Sequence, residues 1–387
     1  MPITVLEAVV QQTGVYADSR KGRLSVFWGD QIFLPSAPFE YKPTHHVDIM
    51  CTLLGEKAPT AEEWAEQGLD KYGVIAVLQG EARNAAQVEK VSHATAVQML
   101  ESLGDIGQVG PSLGSFSVSA TILKALCDEY SKELTEKTAK LDTDPHFWMP
   151  LTLPEKEYCT LMAQKGIEED LSKKHHARMA AFKAKLEMGG LGLFGAVDVG
   201  AKACWWDYGQ LKLYSKNNTK LLDSDDEATL LRKFFDITDL KAGSEVGSTT
   251  VDESSCVFSS KVGSGSITSS AIAGVTAKTV ELDGAIVVNC VAPKIVAKKG
   301  AILYNIISKE DVIAEEGDVI VEVTEESGES ILLKSTITTC GGKNWKVKLD
   351  VNDCTFEDVF KKNKEANVTA IETKRQEKYK AVAESLK

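Results

Sequence analysis

The chain has 387 residues, a length that predicts two or three domains at about 150 residues each. Hydrophobic residues make up 43% of it and charged residues 26%. This is the composition of a globular protein whose core needs no disulfides or metals to stabilise it. The formal net charge is −12, which makes the chain a poor candidate for nucleic-acid binding because that function requires clustered basic surface.

The chain contains no run approaching about 18 uninterrupted apolar residues, and its first residues lack the basic start and apolar centre of a signal peptide. The 8 cysteines are scattered, with no Cys-x-x-Cys pair. In a chain of this length such spacing indicates buried, reduced thiols rather than a disulfide framework or a zinc site. We therefore expect a cytoplasmic protein without a membrane partner.

Strand-like and helical segments alternate through residues 1–242. Short apolar runs that predict strands are Leu24–Trp28, Gly73–Leu78 and the GSFSV segment at residues 114–118. Helical spacing of apolar residues marks Thr4–Thr13, residues 120–126 and Glu155–Glu187, the last broken at Gly166. This alternation predicts an α/β domain with a doubly wound, mostly parallel sheet.

The sequence changes character near Gly243. From Thr249 to Tyr304 it is rich in Ser, Gly, Val and Ile, and short apolar pairs recur with small residues between them. The pattern predicts an all-β domain over residues 243–350, a left-handed parallel β-helix, with a plain antiparallel sandwich as the alternative. Further strands are expected within residues 319–349, including Trp345–Leu349. Residues 351–387 are expected to form a helical tail that is either solvated or a docking element.

A carboxylate follows the first apolar run, in the segment Phe27-Trp28-Gly29-Asp30. Ligands bind at the carboxyl ends of strands in open α/β sheets, so Asp30 stands at a position where it could hold a divalent cation such as Mg²⁺. Gly29 would allow the backbone to approach a ligand closely. Taken alone, a Gly-Asp pair after a strand is also explained by an ordinary turn.

Three further segments contain polar residues beside strands. Asp207 lies in Trp205-Trp206-Asp207-Tyr208-Gly209, where it could complete a metal site with Asp30 or be a surface residue of an aromatic patch. Gly73 stands at the mouth of a strand. The pair Glu89-Lys90 could accept hydrogen bonds from sugar hydroxyls and pair with phosphate, or could be ordinary surface.

In this order the motifs resemble those of the sugar-1-phosphate nucleotidylyltransferases, which make nucleotide sugars from nucleoside triphosphates. The ordered set is Gly-Asp, Tyr-Gly-Val, Glu-Lys, Gly-Ser-Phe before a helix, and Trp-x-Asp-x-Gly. The resemblance covers about residues 1–220, and the Ser/Gly/Val-rich segment that follows is similar to the β-helix that many members append.

The resemblance implies a site and a reaction. It implies that Asp30 and Asp207 hold the catalytic Mg²⁺ and that Gly73, Glu89 and Lys90 contact the sugar and its phosphate, although Val91 replaces the usual proline. A phosphate oxygen of the sugar 1-phosphate would attack the α-phosphorus of the nucleoside triphosphate and release pyrophosphate. This chemistry depends on positioning and charge neutralisation. Lys202 would be a further phosphate contact, or a surface lysine.

One family feature has no counterpart in the sequence. The family begins with a strand and a glycine-rich loop that bears Arg and Lys and binds the triphosphate through backbone amides and cations. We therefore expect either a truncated enzyme or a non-catalytic family member that acts as a regulatory or assembly subunit. Homo-oligomers through exposed edges of the β-helix are a further expectation.

One segment outside these motifs also stands out. Asp142 to Trp148 is charged at its start and aromatic at its end. It could line the sugar pocket or belong to a family-specific insertion. The simpler interpretation, which we favour, is an ordered loop held in place by its aromatic side chains.

Overall fold

The computed structural model describes residues 22–35, 41–80, 82–136, 141–200 and 202–386. The helix predicted over Thr4–Thr13 lies outside these ranges. The chain forms two compact units, Met1–Trp205 and Trp206–Lys387. All 8 cysteines lie in described residues, and none is in a disulfide; four of them are buried as expected, whereas Cys340 is exposed.

The first unit contains a central sheet and the helices that pack on it. Its strands are β1 (Arg23–Val26), β2 (Gln31–Leu34), β3 (His45–Cys51), β4 (Gly73–Leu78), β5 (Ala85–Glu89), β6 (Ile106–Ser119), β7 (Gly192–Asp198) and the start of β8 (Cys204–Asp207). Its helices are α1 (Ala61–Glu66), α2 (His93–Leu100), α3 (Ala120–Glu129), α4 (Ser131–Glu136), α5 (Met149–Thr152), α6 (Glu155–Gln164) and α7 (Glu169–Ala184). A π-helical turn, Asp144–Trp148, precedes α5.

The central sheet is mixed. Its strand order is β5-β4-β6-β3-β7, and β1 also pairs with β6. The β3–β7 pairing is parallel, whereas β6 runs antiparallel to β1, β3 and β4, and β4 runs antiparallel to β5. The α/β class is confirmed, but the described pairings are more antiparallel than the mostly parallel sheet that we expected. Residues 79–84 between β4 and β5 are too few for a crossover connection, so these strands form a hairpin.

The predicted passage from strand to helix near residue 119 is confirmed. Ser119 ends β6, and its hydroxyl accepts a hydrogen bond from the Ile122 amide at 3.3 Å, which caps the first turn of α3. Ile122 and Leu126 of this helix are buried with Phe116 of β6 in the main core of the unit. The break that Gly166 predicts between α6 and α7 is also present, with φ at 77°.

The second unit begins with α8 (Leu211–Thr219) and α9 (Asp226–Phe234) and continues as a β-solenoid. One sheet contains β10 (Cys256–Phe258), β12 (Ala271–Ala273), β14 (Ile286–Val288), β16 (Ile302–Tyr304), β18 (Asp318–Thr324) and β19 (Ser330–Thr336). The other contains β9 (Thr250–Val251), β11 (Lys261–Thr268), β13 (Thr276–Asp283), β15 (Val291–Ala297) and β17 (Val312–Ala314).

All of these neighbours pair in parallel except the last pair, β18 and β19. The predicted parallel β-helix is therefore confirmed, and the sandwich alternative is excluded. Leu211 and Tyr214 of α8 pack against the solenoid residues Ile286, Ile302 and Val319. The compact unit thus begins before the solenoid itself, whereas the sequence pattern placed the domain boundary at residue 242. The division into 1–242, 243–350 and 351–387 stays a prediction.

Small residues stack at an inner corner of the solenoid. Ser255 and Ser270 are fully buried and lie in successive turns. The Ser270 amide donates to Ser255 Oγ at 3.2 Å, and the Ala285 amide donates to Ser270 Oγ at 3.0 Å. The hydroxyls therefore satisfy backbone amides that face the interior, which a buried chain requires.

We expect Ser270→Ala to lower the free energy of unfolding by about 1–2 kcal/mol, because the Ala285 amide loses its partner in a dry interior. Denaturant unfolding measures the change. Ser266→Ala, on the exposed side of the neighbouring strand β11, is the control and should be nearly neutral. Equal stability of the two variants would show that the buried hydroxyl contributes nothing.

The solenoid ends in an antiparallel strand whose edge is covered. Asn352 Oδ1 accepts from the Lys334 amide of β19, and Asn352 Nδ2 donates to the Lys334 carbonyl, both at 2.8 Å. The strand predicted over Trp345–Leu349 is wrong: these residues follow α10 (Gly341–Asn344) as turns and extended chain outside any sheet. Their apolar alternation fits a strand, but the edge groups of Lys334 are already bonded to Asn352. Trp345 instead packs on the ring of Phe360 at 5.7 Å.

The tail forms two helices, α11 (Phe356–Asn363) and α12 (Val368–Ser385). Helix α12 packs on the solenoid: Tyr379 hydrogen-bonds Thr276 at 2.8 Å, and Val382 is buried with Ile307. Of the two expectations for this tail, docking is therefore confirmed for one face of α12, which packs on the solenoid. Homo-oligomerisation through the solenoid stays a prediction.

Candidate functional site

The β4–β5 hairpin brings three of the predicted site residues together. Gly73 is the register partner of Glu89, and the Lys90 amide donates to the Tyr72 carbonyl at 3.0 Å. A Cβ atom on residue 73 would lie 2.6 Å from Glu89 Oε2 and 3.0 Å from Gln87 Nε2. Glycine at residue 73 leaves both side chains undisturbed, and the Tyr-Gly-Val and Glu-Lys motifs thus lie side by side.

Lys90 is held in a strained backbone conformation beside this glycine. Its φ of 54° lies in the left-handed region, which is uncommon for a residue with a side chain. The Lys90 side chain is 66% exposed, and its Nζ lies 3.3 Å from Glu89 Oε1, while the Glu89 side chain is only 14% exposed. The hairpin thus presents an accessible positive charge next to a largely buried carboxylate.

A second carboxylate, Asp144, joins the site from the π-helical turn. Gln87 Nε2 donates to Asp144 Oδ1 at 3.3 Å, and the indole N–H of Trp148 donates to the same oxygen. The sequence marks the segment from Asp142 to Trp148 as unusual, but we expected an ordinary ordered loop there. Gln87 was not predicted; its available signal was a polar side chain between the apolar residues Ala86 and Val88 of β5.

The two carboxylates of the site favour their protonated forms more than isolated carboxylates do. Burial, and then the charge of Asp144, raises the pKa of Glu89 above its usual value. Burial also raises the pKa of Asp144, while Trp148, Lys165 and Lys90 lower it. Buried carboxyl groups with raised pKa values occur often in functional sites and can hydrogen-bond with hydroxyls.

Three side chains brace the turn that carries Asp144: one from the junction of α3 and α4, one from α6 and one from α7. Tyr130 OH donates to the His146 carbonyl at 2.5 Å, and His175 Nε2 contacts the same carbonyl at 3.1 Å. Tyr158 OH donates to the Pro145 carbonyl at 2.9 Å. A π-helical turn leaves backbone groups that its own hydrogen bonds do not satisfy, and these side chains supply the partners.

The bracing histidine makes stability depend on pH. Burial lowers the pKa of His175 from 6.5 to about 4, and the neighbours that face it are His146, Arg178 and Glu133. Between these two pH values the unfolded chain binds a proton that the folded chain does not. The contribution of His175 to stability is therefore complete above pH 6.5 and is lost as the pH falls toward 4.

We expect His175→Gln to remove this part of the pH dependence, because glutamine can still donate to the His146 carbonyl but does not titrate. As the pH falls from 7 to 4, the wild type should lose about 3 kcal/mol of unfolding free energy that the variant keeps. Urea unfolding at a series of pH values measures the difference. If the unfolding free energy of the two proteins changed by the same amount with pH, the prediction would be contradicted.

Gly29 and Asp30 form an exposed turn between β1 and β2. Gln31, the next residue, accepts a hydrogen bond from Trp205 Nε1 at 3.0 Å. The Trp205 ring packs edge-on against Tyr72, with ring centroids 6.2 Å apart. These contacts link the Gly-Asp turn to the residue that precedes Gly73.

The Gly-Ser-Phe motif begins at a second glycine that the structure requires. Gly114 has a φ of 75°, and a Cβ atom there would lie 2.5 Å from Nε1 of Trp28. The motif therefore places the indole of Trp28, which immediately precedes the Gly-Asp turn, against the backbone of β6.

Asp207 and Lys202 lie around β8. Asp207 is partly buried, and its Oδ1 accepts from the Gly209 amide at 2.7 Å, while its carbonyl accepts from Asn217 Nδ2 at 2.6 Å. Lys202 is exposed. Because Asp30 belongs to the first unit and Asp207 to the second, their pairing stays a prediction, as does the role of Lys202.

A magnesium site needs few protein ligands. In the part of the chain that the structure describes, no group of three or more His, Cys, Asp or Glu side chains could hold a metal ion. Mg²⁺ is commonly bound by one or two carboxylates together with waters and substrate phosphates. Asp30 and Asp207 are each carboxylates, the ligand type that suits Mg²⁺, and their use as a joint site stays a prediction.

Comparisons with known proteins add a structural likeness. No protein-family model matches the chain, and no curated protein matches it. Among solved structures, it is similar to a mannose-1-phosphate geranyltransferase from Thermus thermophilus, at 14% identity and a TM-score of 0.28 over 86% of this chain and 71% of that one. None of the helices in the described ranges has the length and apolar character of a membrane span.

Proposed function

We propose that this protein transfers a nucleotidyl group from a nucleoside triphosphate to a sugar 1-phosphate and releases pyrophosphate, as a cytoplasmic enzyme of nucleotide-sugar synthesis. The observation that carries the proposal is the contact of Gly73 with Glu89 beside the exposed Lys90. The sequence motifs assign the sugar phosphate to these three residues, and the hairpin gives them a common surface.

Each of these residues has a role that follows from its chemistry. Glu89 accepts hydrogen bonds from sugar hydroxyls, and Gly73 leaves space for the carboxylate and the sugar ring. Lys90 pairs with the phosphate as a point charge. Holding the sugar phosphate in this way directs one of its oxygens to the α-phosphorus of the triphosphate, and the bond to the departing pyrophosphate breaks.

The charges that develop on the phosphates require neutralisation. We assign Asp30 and Asp207 as the residues that would hold Mg²⁺, which, when bound, offsets negative charge on the phosphate oxygens. Gly29 allows close approach of the backbone at this point, and Lys202 is assigned as a further phosphate contact.

The proposal is tested with the full chain and Mg²⁺. Pyrophosphate release is measured for hexose, 6-deoxyhexose and N-acetylhexosamine 1-phosphates, each with the four common nucleoside triphosphates, and calorimetry measures binding of each sugar 1-phosphate alone. Release with at least one pair supports the enzyme. Binding without release supports instead a non-catalytic subunit that binds sugar phosphate, and no binding contradicts both.

A further inference from the structure

A buried acceptor in the site lacks a protein partner. Gln87 is only 5% exposed, and its Oε1 has no hydrogen-bond partner among the described residues. Leaving such an oxygen unsatisfied costs about 1–3 kcal/mol, so buried amides are nearly always paired. Nε2 of this amide lies 3.0 Å from the position that a Cβ atom of residue 73 would take, beside Glu89, so the amide borders the residues to which the sugar is assigned.

The orientation of this amide is fixed by Asp144. Gln87 Nε2 donates to Asp144 Oδ1, which also accepts from the Trp148 indole. A flipped amide would turn its oxygen toward the carboxylate and lose this bond. Gln87 must therefore present its oxygen, an acceptor, and the group that satisfies it must be a donor.

We propose that Gln87 Oε1 accepts a hydrogen bond from one hydroxyl of the bound sugar phosphate, and that Asp144 is the positioning residue that holds the amide in this orientation. This inference rests on the proposed function and deepens it, since it names a residue that selects among sugars. It requires no change in the assigned roles of Glu89 and Lys90.

The bracing of the turn supports a positioning role independently of the amide. Tyr130, Tyr158 and His175 come from three separate parts of the chain and all contact carbonyls of the residues that directly follow Asp144. These three contacts fix the position of Asp144. A specific site needs its contacting side chains held by such a second layer of interactions. An ordinary surface loop needs no such layer.

The expected consequence is discrimination at one hydroxyl. A sugar that donates to Gln87 satisfies the buried oxygen, whereas an analogue without that hydroxyl leaves it unpaired. We expect one monodeoxy analogue of the preferred sugar 1-phosphate to bind about 10–100-fold more weakly than the parent. In Gln87→Leu, which has no acceptor, the parent and this analogue should bind equally.

The variants of Asp144 separate positioning from folding. Asp144→Ala removes the partner of the amide and should reduce the discrimination to within about threefold, whereas Asp144→Asn retains an acceptor oxygen and should keep most of it. Asp142→Ala, an exposed residue of the same segment, is the matched control and should behave as wild type. Calorimetry with the parent sugar 1-phosphate and its series of monodeoxy analogues gives the ratio of their affinities for each variant. If Gln87→Leu does not fold, Gln87→Met takes its place.

Each outcome is decisive. Loss of discrimination in Gln87→Leu and Asp144→Ala, with retention in Asp144→Asn, supports the inference. If the wild type binds a sugar 1-phosphate but the variants show the same ratio of parent to analogue affinity as the wild type, the inference is overturned. The oxygen is then satisfied by water alone, and the proposed function stands. A purely structural role of Asp144 would lower the affinity for parent and analogue by the same factor, which also overturns the inference. No binding of any sugar 1-phosphate overturns the proposed function and the inference together.

Discussion

Asp207→Asn is expected to reduce pyrophosphate release by about 10²–10³-fold while leaving the fold intact. Asparagine keeps an oxygen that can accept from the Gly209 amide, so the local turn is retained. It removes the negative charge that the proposed Mg²⁺ site requires. Steady-state pyrophosphate release across a range of Mg²⁺ concentrations measures the effect, and higher Mg²⁺ should recover part of the activity because the loss is one of ion affinity.

Two comparisons make this result specific. Asp207→Ala should lose activity to at least the same extent, and it also removes the hydrogen bond to Gly209. Asp283→Asn, an exposed carboxylate of the same unit outside the proposed site, should keep wild-type rates. Full activity of Asp207→Asn at limiting Mg²⁺ would remove Asp207 from the proposed reaction.

The sequence predicted well those features that depend on neighbouring residues. Gly73–Leu78 is a strand with the predicted bounds, Ser119 separates β6 from α3, and the Ser- and Gly-rich repeat forms a parallel solenoid. Each of these follows from periodicity and from local capping or turn chemistry, which act over one or two turns of chain. The strand predicted over Trp345–Leu349 failed because its pattern was suitable but no sheet edge was available to it.

The site was predictable in part for the same reason. Gly73, Glu89 and Lys90 belong to short motifs, and the hairpin that joins them is itself short. Asp144 and Gln87 are far apart in sequence, and only the fold shows that they share a hydrogen bond. No spacing rule relates a residue in strand β5 to one in a π-helical turn, so these two could be found only from the tertiary structure.

The antiparallel order of the first sheet has a similar origin. Alternation of strands and helices predicts parallel pairing when each helix crosses over the sheet. Here β4 and β5 are joined directly, and the long strand β6 pairs with β1, β3 and β4 in the opposite sense. This arrangement places Glu89 opposite Gly73, which a crossover would not do.

The contact of Gly73 with Glu89 leads to the second prediction of large effect. A Cβ atom at residue 73 would meet Glu89 Oε2 at 2.6 Å, and this oxygen is the end of a flexible side chain. We expect Gly73→Ala to push the carboxylate aside at little cost in stability, within about 1 kcal/mol. Its affinity for the sugar 1-phosphate should nevertheless fall about 100-fold, because a displacement near 1 Å disrupts the positioning on which the site depends.

Gly107→Ala is the matched control for this variant. Gly107 lies in β6 of the same sheet, and a Cβ atom there would make only ordinary contacts, the nearest at 3.4 Å from Gln79 Cγ. Both variants should unfold at nearly the same denaturant concentration as the wild type. Calorimetry should show weakened binding of the sugar 1-phosphate in Gly73→Ala and wild-type affinity in Gly107→Ala. Wild-type affinity in Gly73→Ala would show that the sugar phosphate does not depend on the placement of Glu89. Equal loss of affinity in both variants would show that the sheet, rather than this contact, is what binding requires.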